Sequence, residues 1–240
     1  MVPPRNEPCD VLAWDSKFFS LAIGRVREKQ LTESSLVDVL DWAKRKQIDC
    51  LYYLADSHNP DSCQRAEVAG FRFVDIRTTL EWTGTSMESR PSHVRLARTT
   101  DEEKLVSIAR TAHTDSRFFA DERFPRRDCE RLFETWISRS MQGWAKAVLV
   151  ADPYGPSGYL TCHVNDSGEG SIGLIAVAKH ARGCGIGASL ISASLDWFRE
   201  AKIEKINVVT QGRNIGAQRL YHRAGFAIKS NEIWFHRWSQ

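Results

Sequence analysis

The chain has 240 residues, of which 42% are hydrophobic and 26% charged, and its formal net charge is +3. This balance predicts a globular protein that buries an apolar core. The small, dispersed positive charge argues against a nucleic-acid partner, and the sequence lacks an apolar run of the about 18 residues that a membrane-spanning helix needs. The opening Met1-Val-Pro-Pro-Arg-Asn-Glu7 has no apolar stretch typical of a signal peptide.

The six cysteines indicate a reducing compartment. None forms a C-x-x-C pair, and none is spaced with histidines as in a zinc finger. We therefore expect free thiols, a cytoplasmic location and no bound metal.

The first part of the chain alternates strand and helix patterns. Apolar residues at helical spacing follow Thr32 and Asn59, two residue types suited to N-caps, and Gly70 suits a left-handed C-cap. The predicted elements are strands at 11–14 and 22–28 around a Trp-Asp-Ser-Lys-Phe-Phe turn, a helix at 36–46, a strand at 48–55, a helix at 59–70, and one or two strands over 71–82.

A linker-like stretch, GTSMESRPS from Gly84 to Ser92, predicts a domain boundary. We therefore expect an N-terminal domain at 1–84, a linker at 85–92 and a larger domain at 93–240. The elements predicted after the linker are a strand at 94–97, a helix at 101–113, an irregular segment at 113–127, a helix at 129–141, a three-stranded meander at 144–151, 158–165 and 170–178, a helix at 188–201, a strand at 205–210, a helix at 214–224, and strands at 226–229 and 233–238.

A glycine-rich loop, Arg182-Gly-Cys-Gly-Ile-Gly187, joins a buried strand to a helix that begins at Ala188. Glycine at 183, 185 and 187 permits positive φ, and backbone N–H groups at a helix N-terminus favour an anion such as a pyrophosphate. The alternative is a plain strand–helix turn. The spacing matches neither the dinucleotide fingerprint nor a Walker loop. Cys184 has no neighbouring His or Asp in the sequence to activate it as a nucleophile.

Two motifs in this region carry a family resemblance. Arg182-x-x-Gly185-x-Gly187 resembles the acetyl-CoA loop of the GCN5-related N-acetyltransferases (GNAT). The segment Asn214-Ile-Gly-Ala217-Gln-Arg-Leu-Tyr221-His-Arg-Ala-Gly225-Phe226 is similar to that family's N-x-x-A-x-x-L-Y-x-x-x-G-F motif at every fixed position.

The resemblance implies an α/β (mixed α+β) GNAT fold, with a mixed, mostly antiparallel sheet flanked by helices, and acetyl-CoA as the cofactor. It further implies that the strand before the loop pairs with the pantetheine amides and presents a backbone N–H to the thioester oxygen. The cofactor-binding residues implied are Leu174, Ile175, Ala176, Val177, Arg182, Gly183, Cys184, Gly185, Ile186, Gly187, Ala188, Asn214 and Ala217.

Tyr221 is the predicted general acid. Attack of a neutral amine on a thioester releases a thiolate, and a phenol stays protonated at neutral pH and can donate to it. The alternative is a tyrosine packed in the core. Asn214 is expected to bond the cofactor, to cap its helix, or both. We assign no general base, although five residues are candidates by type: His113, Asp115, Asp121, Glu122 and His163.

The two halves of the chain share a faint repeat in one register, in which Asp41-Trp42 recurs as Asp196-Trp197, Asn59 as Asn214, and Ala69-Gly70-Phe71 as Ala224-Gly225-Phe226. We favour a degenerate copy of half a GNAT unit over chance. The stretch equivalent to the glycine loop, at 27–32, has no glycine, and Ala66 stands in place of the tyrosine. The N-terminal copy is therefore predicted to bind no CoA, and to shape the acceptor pocket or an interface.

The segment 113–127 contains Ser-Arg-Phe-Phe-Ala-Asp-Glu-Arg-Phe-Pro. It resembles the S-R-F-x-x-D-x-R-F-P segment of bacterial sugar-nucleotide N-acetyltransferases that act on dTDP-4-amino-4,6-dideoxygalactose (dTDP-fucosamine). The W-D-S-K-F-F and W-F-H-R-W stretches near the two ends of the chain resemble that group as well, although some relatives have proline where this chain has Glu122. The acceptor-binding residues implied are Phe119, Asp121, Arg123 and Phe124. The alternative is a solvated loop with a hydrophobic anchor.

Our first hypothesis is an acetyl-CoA-dependent N-acetyltransferase that acts on the amino group of a sugar nucleotide. The alternatives are acetylation of another primary amine (a protein N-terminus, an antibiotic or a small metabolite) and a non-catalytic acyl-CoA sensor. An intact Tyr221 argues against the sensor, which needs no general acid. The resemblance also suggests a homodimer, although the sequence shows no interface.

Overall fold

The computed structural model describes residues 7–84 and 93–239, so the predicted linker at 85–92 lies outside the described residues. The helices are α1 (Ala13–Phe19), α2 (Glu33–Arg45), α3 (Pro60–Val68), α4 (Glu102–Ala112), α5 (Arg117–Ala120), α6 (Arg126–Arg139), α7 (Ile186–Glu200) and α8 (Ile215–Arg223). The strands are β1 (Cys9–Val11), β2 (Ile23–Val26), β3 (Cys50–Asp56), β4 (Arg72–Trp82), β5 (Val94–Leu96), β6 (Ala147–Ala151), β7 (Gly158–Val164), β8 (Gly170–Val177), β9 (Ile206–Gln211) and β10 (Phe226–Trp238).

The predicted helix ends are confirmed where the signal is a local hydrogen bond. The Thr32 hydroxyl accepts from the Ser35 N–H at 3.1 Å, which caps α2. Asn59 caps α3 in the same way, through the Ser62 N–H at 3.0 Å. Gly70 has φ of +84°, the left-handed conformation expected after a helix.

Four predicted elements were wrong. The strand predicted at 11–14 is instead β1, which ends at Val11 because helix α1 begins at Ala13. The Trp-Asp-Ser-Lys-Phe-Phe stretch forms helix α1 and is not a turn, because Phe19 packs into the core and holds it. The segment 113–127 is not irregular throughout, since it contains α5 and the start of α6. The two predicted final strands are one strand, β10, with irregular pairing near 229 and 234 that does not interrupt it.

All ten strands form one sheet in the order β1-β2-β3-β10-β4-β9-β8-β7-β6-β5. The pairs β2–β3 and β8–β9 are parallel, and the other pairs are antiparallel. The predicted mixed, mostly antiparallel sheet is therefore confirmed. Because β4 lies between β10 and β9, strands from before and after residues 85–92 alternate in this sheet.

An approximate two-fold axis passes through the centre of the sheet. Arg77 and Glu232, which are 155 residues apart, face each other across β4 and β10 and form an ion pair at 2.6 Å. On one side Glu232 pairs with Asp56 of β3, and on the other Arg77 pairs with Gln211 of β9. The final strand of each half thus pairs with the other half, an exchange that joins them. The division into domains at 1–84 and 93–240 stays a prediction.

The Glu232 carboxylate at this axis is the basis of a stability prediction. It is 4% exposed and also meets the Lys29 ammonium at 2.6 Å. Burial opposes its ionisation, but the hydrogen bonds from Lys29 and Arg77 outweigh burial and hold its pKa below the ordinary value. Glu232→Gln removes this charge, and we expect urea denaturation at pH 7 to show a loss of about 2 kcal/mol in the free energy of unfolding.

The pH dependence of that loss has a defined sign. A carboxyl group with a depressed pKa in the folded state stabilises the protein above its unfolded pKa and loses this effect as the pH falls through the folded pKa. The difference between wild type and Glu232→Gln should therefore shrink below about pH 4. The matched control is Glu81→Gln, which removes the exposed Lys229 pair between the same two strands and should cost less than about 1 kcal/mol. Equal losses of unfolding free energy for both variants would contradict the prediction that the buried Glu232 carboxylate stabilises the fold more than an exposed ion pair does.

Candidate active site

Strands β8 and β9 separate along their length. They pair in parallel only between Gly170–Ile172 and Ile206–Val208, although β8 continues to Val177 and β9 to Gln211. A gap therefore opens between their carboxyl-terminal halves. Such a gap exposes backbone N–H and C=O groups that an extended ligand can pair with as an added strand does.

A bulge in β8 lies beside this gap. Cys162 faces Ile172 and Leu160 faces Ile175, so Thr161 opposes two residues of β8. The Thr161 hydroxyl accepts from the Leu174 N–H at 2.8 Å and lies 3.1 Å from His163 Nε2, to which it can donate. A side chain at residue 173 would come within 2.5 Å of the same nitrogen, which explains the glycine there.

The bulge fixes the direction of the N–H groups that follow it. The Ala178 N–H donates to the Ser157 carbonyl at 2.8 Å, toward the β7 side. Because successive N–H groups of a strand alternate in direction, those of Ile175 and Val177 point away from β7, into the gap. The predicted strand thus offers two backbone donors to a ligand. The Leu174 N–H is directed to the threonine instead.

The glycine loop has the geometry of an anion site. Gly183 and Gly185 have φ of +81° and +79°. Helix α7 begins at Ile186, its first turn contains no acidic residue, and no side chain caps it, so its first N–H groups remain free for a ligand. The Arg182 Nε donates to the Val177 carbonyl at 3.2 Å and fastens the loop to β8. Residues 182–185 are exposed. This arrangement fits a diphosphate.

Two details of the loop differ from the sequence prediction. Helix α7 begins two residues before Ala188, so Gly187 lies inside the helix and does not adopt positive φ. Its lack of a side chain serves close packing, because a Cβ there would lie 3.0 Å from Leu220 Cδ2 of α8. The side chains of Cys184 and Ala188 make no contact that assigns them a role beyond the backbone they contribute.

Helix α8 presents Tyr221 to the same region. The Asn214 Oδ1 accepts from the Ala217 N–H at 3.1 Å, which confirms the expected cap. Tyr221 follows two turns later, is 3% exposed, and packs on Phe226 with ring centroids 5.8 Å apart. No hydrogen bond joins its hydroxyl to another residue in the described part of the chain. Burial raises the pKa of Tyr221, so the phenol remains protonated at neutral pH.

Asn214, Ala217 and Tyr221 line a cleft of about 410 Å³ together with residues of β8, β9 and five other elements. This cleft brings the predicted cofactor residues next to side chains that the sequence did not single out. The charged ones are Asp15, Asp75, Arg77 and Arg117, the aromatic ones are Phe118, Phe133, Trp136 and Trp234, and the candidate base His113 lies with them.

Burial changes the protonation of several groups in the cleft. Burial raises the pKa of Asp15 and of Asp75, although the Arg213 Nε lies 3.4 Å from Asp75 and opposes the shift. Burial lowers the pKa of His113 to about 4, so its ring is neutral at pH 7. Its Nε2 lies 2.9 Å from the Tyr159 hydroxyl. No local sequence signal marks these residues, because their proximity arises from the sheet order.

The structure places three of the four predicted acceptor residues, Asp121, Arg123 and Phe124, against β10, and Phe119 against α6. Phe124 is 3% exposed and lies in the core. The Asp121 Oδ2 accepts from His236 Nδ1 at 2.7 Å and from Trp238 Nε1 at 2.9 Å. Arg123 lies over the Trp238 ring and Phe119 near the Phe133 ring. These four do not belong to the lining of the cleft described above, and a direct role in acceptor binding stays a prediction.

Three stretches far apart in sequence meet in an aromatic cluster beside the cleft, which we define as Phe19, Tyr52, Phe118, Phe124, His236 and Trp238. Ring centroids are 4.7 Å apart for Phe19 and Phe124, 5.4 Å for Phe19 and Phe118, and 5.0 Å for Phe124 and Trp238. The stretches are W-D-S-K-F-F, S-R-F-F-A-D-E-R-F-P and W-F-H-R-W, the same three that carry the resemblance to sugar-nucleotide acetyltransferases.

Comparison with known proteins agrees with this geometry. The model of the acetyltransferase (GNAT) family matches residues 105–226. The spore coat polysaccharide biosynthesis protein SpsD of Bacillus subtilis is 30% identical over 139 residues, which are 58% of this chain and 48% of that protein, so the match spans about half of that relative. The dTDP-fucosamine acetyltransferase of Escherichia coli O6:H1 is 24% identical over 238 residues, which are 98% of this chain and 100% of that protein.

A solved structure shows the same fold. The GCN5-related N-acetyltransferase from Sphaerobacter thermophilus superposes with a TM-score of 0.69 at 16% identity, covering 96% of this chain and 76% of that one. Within residues 7–84 and 93–239, no helix is long and apolar enough to cross a membrane, and no group of three or more His, Cys, Asp or Glu side chains is arranged to hold a metal ion.

GNAT acetyltransferases use acetyl-CoA, and the glycine loop, the open gap between β8 and β9 and the buried Tyr221 are the parts of this chain that fit it. Taken with the family match, these features establish that the chain belongs to the GNAT acetyltransferase family, and by family it is an acetyl-CoA-dependent N-acetyltransferase.

Proposed function

We propose that this protein transfers an acetyl group from acetyl-CoA to the amino group of a sugar nucleotide of the dTDP-4-amino-4,6-dideoxyhexose type. The observation that carries the proposal is the convergence of the three resemblance stretches in the aromatic cluster beside the cleft. The E. coli relative, a dTDP-fucosamine acetyltransferase that matches 98% of this chain, supports the same acceptor class. The free state of all six cysteines supports a reducing compartment such as the cytoplasm.

In this proposal the C-terminal half holds the acetyl donor. The N–H groups of the glycine loop and of the first turn of α7 bind the diphosphate. The N–H of Val177 pairs with the pantetheine arm, and that of Ile175 donates to the thioester oxygen, where negative charge develops during attack. Acetyl-CoA, when bound, supplies the acetyl group as a thioester. Because these donors belong to the backbone, the arrangement depends on the bulge and the glycines more than on side chains.

Tyr221 is the proposed general acid. Its hydroxyl has no competing hydrogen bond in the described part of the chain, and burial keeps the phenol neutral. A neutral phenol at the lining of the cleft can give its proton to a departing thiolate sulfur. The helix cap at Asn214 fixes the start of α8 and thereby the position of the tyrosine two turns later.

The N-terminal half, residues 1–84, is proposed to bind no CoA and to shape the acceptor pocket. In this half, the space equivalent to the gap between β8 and β9 is closed by hydrogen bonds. The Asp56 N–H and the Tyr53 hydroxyl both donate to the Lys29 carbonyl, at 3.0 and 2.9 Å. The Leu31 N–H bonds to Ser62 Oγ at 2.6 Å. This half instead contributes Asp15 and Asp75 to the cleft.

A panel of acceptors tests the proposed function. Thiol release from acetyl-CoA should be confined to a dTDP-4-amino-4,6-dideoxyhexose among dTDP-amino sugars, free amino sugars, peptides and polyamines. Turnover of peptides or polyamines with no turnover of any amino-sugar nucleotide would refute the sugar-nucleotide assignment. Saturable CoA binding without turnover of any acceptor would favour a sensor.

Replacing Tyr221 with Phe tests the general acid. We expect kcat to fall by about 10²-fold or more, because the departing thiolate loses its proton donor. The Kd for CoA, measured by calorimetry, should be unchanged. Tyr154→Phe is the matched control, since Tyr154 is fully exposed and should keep wild-type kcat. A Tyr221→Phe variant that retains full turnover would exclude the phenol as the acid.

Replacing Thr161 tests whether the bulge positions the Ile175 N–H. Thr161→Val removes the hydroxyl that accepts from the Leu174 N–H, and kcat should fall about tenfold as the donor geometry relaxes. Thr161→Ser keeps the hydroxyl and should stay near wild type. Steady-state kinetics with acetyl-CoA, together with thermal melting of each variant, separate this effect from unfolding. Equal kcat for the Val and Ser variants would argue against the role of the bulge.

A further inference from the structure

Arg117 is a cation of the cleft that makes no ion-pair contact within the described residues. Its guanidinium lies over three aromatic rings, at 4.2 Å from Tyr52, 4.2 Å from Phe118 and 4.4 Å from Trp234. In the described part of the chain no carboxylate forms an ion pair with it. Asp15 and Asp75 line the same cleft, and the charge of Arg117 opposes the rise in their pKa values, but neither reaches it as a partner.

A buried relay fixes the orientation of this guanidinium. Arg117 Nη1 donates to His236 Nε2 at 2.8 Å, and His236 Nδ1 donates to Asp121 Oδ2 at 2.7 Å. A guanidinium has only donors, so Nε2 must accept and His236 must be the neutral tautomer with its proton on Nδ1. His236 is 1% exposed, and burial lowers its pKa to about 4, in agreement with that assignment.

Asp121 is the last residue of this hydrogen-bonded relay. Burial opposes its ionisation, but hydrogen bonds from His236 and Trp238 outweigh burial and hold the pKa of Asp121 below its ordinary range. The relay uses one of the five N–H donors of Arg117. Burial raises the pKa of the neighbouring Tyr52 phenol, and the charge of Arg117 opposes this shift. The arginine is therefore held rigidly while most of its donors remain available to a ligand.

An independent observation marks the same place as a binding site. The hydroxyl of Ser116, the residue before Arg117, is buried and has no hydrogen-bond partner among the described residues, and Ser116 is 6% exposed and lines the cleft. A buried hydroxyl without a partner costs free energy unless a ligand satisfies it. A rigid arginine fork next to such a donor suits a planar or tetrahedral oxyanion.

We propose that Arg117 and the Ser116 hydroxyl bind an oxyanion of the acceptor, a phosphoryl group of its nucleotide diphosphate, and that His236 and Asp121 are positioning residues for Arg117. This inference rests on the proposed function, because the acceptor must carry the anion. It gives Asp121 a role different from direct contact with the acceptor. A carboxylate on the acceptor would offer the same oxyanion chemistry, and the experiments below distinguish the two sources.

The kinetic test compares two acceptors, a dTDP-4-amino-4,6-dideoxyhexose and the phosphate-free methyl glycoside of the same amino sugar. Arg117→Gln should raise KM for the nucleotide by about 10²-fold, the loss expected for a charge-assisted hydrogen-bonded pair, and should lower kcat/KM for the glycoside far less than kcat/KM for the nucleotide. Asp121→Asn and His236→Gln should raise the same KM by about tenfold with kcat preserved, because they loosen the arginine without removing it.

Matched variants keep this test decisive. Arg131→Gln removes another arginine over an aromatic ring, 5.4 Å from the Phe18 centroid and outside the cleft, and should leave both acceptors unaffected. Arg117→Lys keeps a cation among the three rings and so limits the disturbance of the fold. Thermal melting of each variant shows whether a loss of activity arises from unfolding. An equal loss of kcat/KM for the nucleotide and the glycoside would show a merely structural arginine and overturn the inference.

A binding test does not depend on turnover. With the glycine loop saturated by CoA, calorimetry should detect dTDP binding to the wild type and a weakening of about 10²-fold in Arg117→Gln. This result would support the anion site even if every amino-sugar nucleotide failed as an acceptor. Turnover of the amino-sugar nucleotide with dTDP binding unaffected by Arg117→Gln would overturn the anion site and leave the proposed function standing. Arg117-dependent binding of succinate without binding of dTDP would overturn the phosphoryl assignment.

Discussion

Strand β10 is hydrogen-bonded along both edges, to β3 on one side and to β4 on the other, and the remaining architecture depends on this double pairing. A strand from the end of the chain thereby joins both halves in one sheet. The Arg77–Glu232 pair lies at the approximate two-fold axis, and the registers on its two sides correspond. A slip of one residue in β10 would turn Trp234 and His236 to the opposite face and remove them from the cleft and the aromatic cluster.

The approximate symmetry is broken where the chemistry requires it. In the C-terminal half β8 and β9 separate and leave N–H groups of β8 unpaired, and the loop that follows has two glycines in left-handed conformations. In the N-terminal half the Lys29 carbonyl accepts two hydrogen bonds that close the equivalent space. An unpaired backbone donor costs free energy unless a ligand satisfies it, so an open gap is retained only where a ligand compensates for it. The closed gap instead stabilises the half that supports the acceptor cleft.

The sequence predicted the features that rest on local chemistry. The caps at Thr32, Asn59 and Asn214 each depend on a hydrogen bond within three residues, and the glycine loop depends on φ at single positions. The acceptor side was predicted less well because its contacts are distant in sequence. Asp121 meets His236 115 residues away, and Arg117 meets the same histidine 119 residues away. The stretch that forms α1 was likewise read as a turn, since the packing that holds its helix comes from α5 and α6.

In the proposed function, different kinds of groups recognise the two substrates, and this difference separates chemistry from specificity. The donor side consists mainly of backbone N–H groups, whose direction the bulge and the glycines determine, so most side-chain substitutions leave it intact. The proposed acceptor side consists of side chains from α1, β4, the 113–118 segment, α6 and β10, whose positions depend on the strand exchange. In this proposal, the burial of Phe124 and the ionised state of Asp121 affect acceptor binding through the rigidity they give to Arg117. Substitutions in the aromatic cluster can therefore change which amine is accepted while the transfer of the acetyl group remains possible, because no residue of that cluster belongs to the loop, the gap or α8.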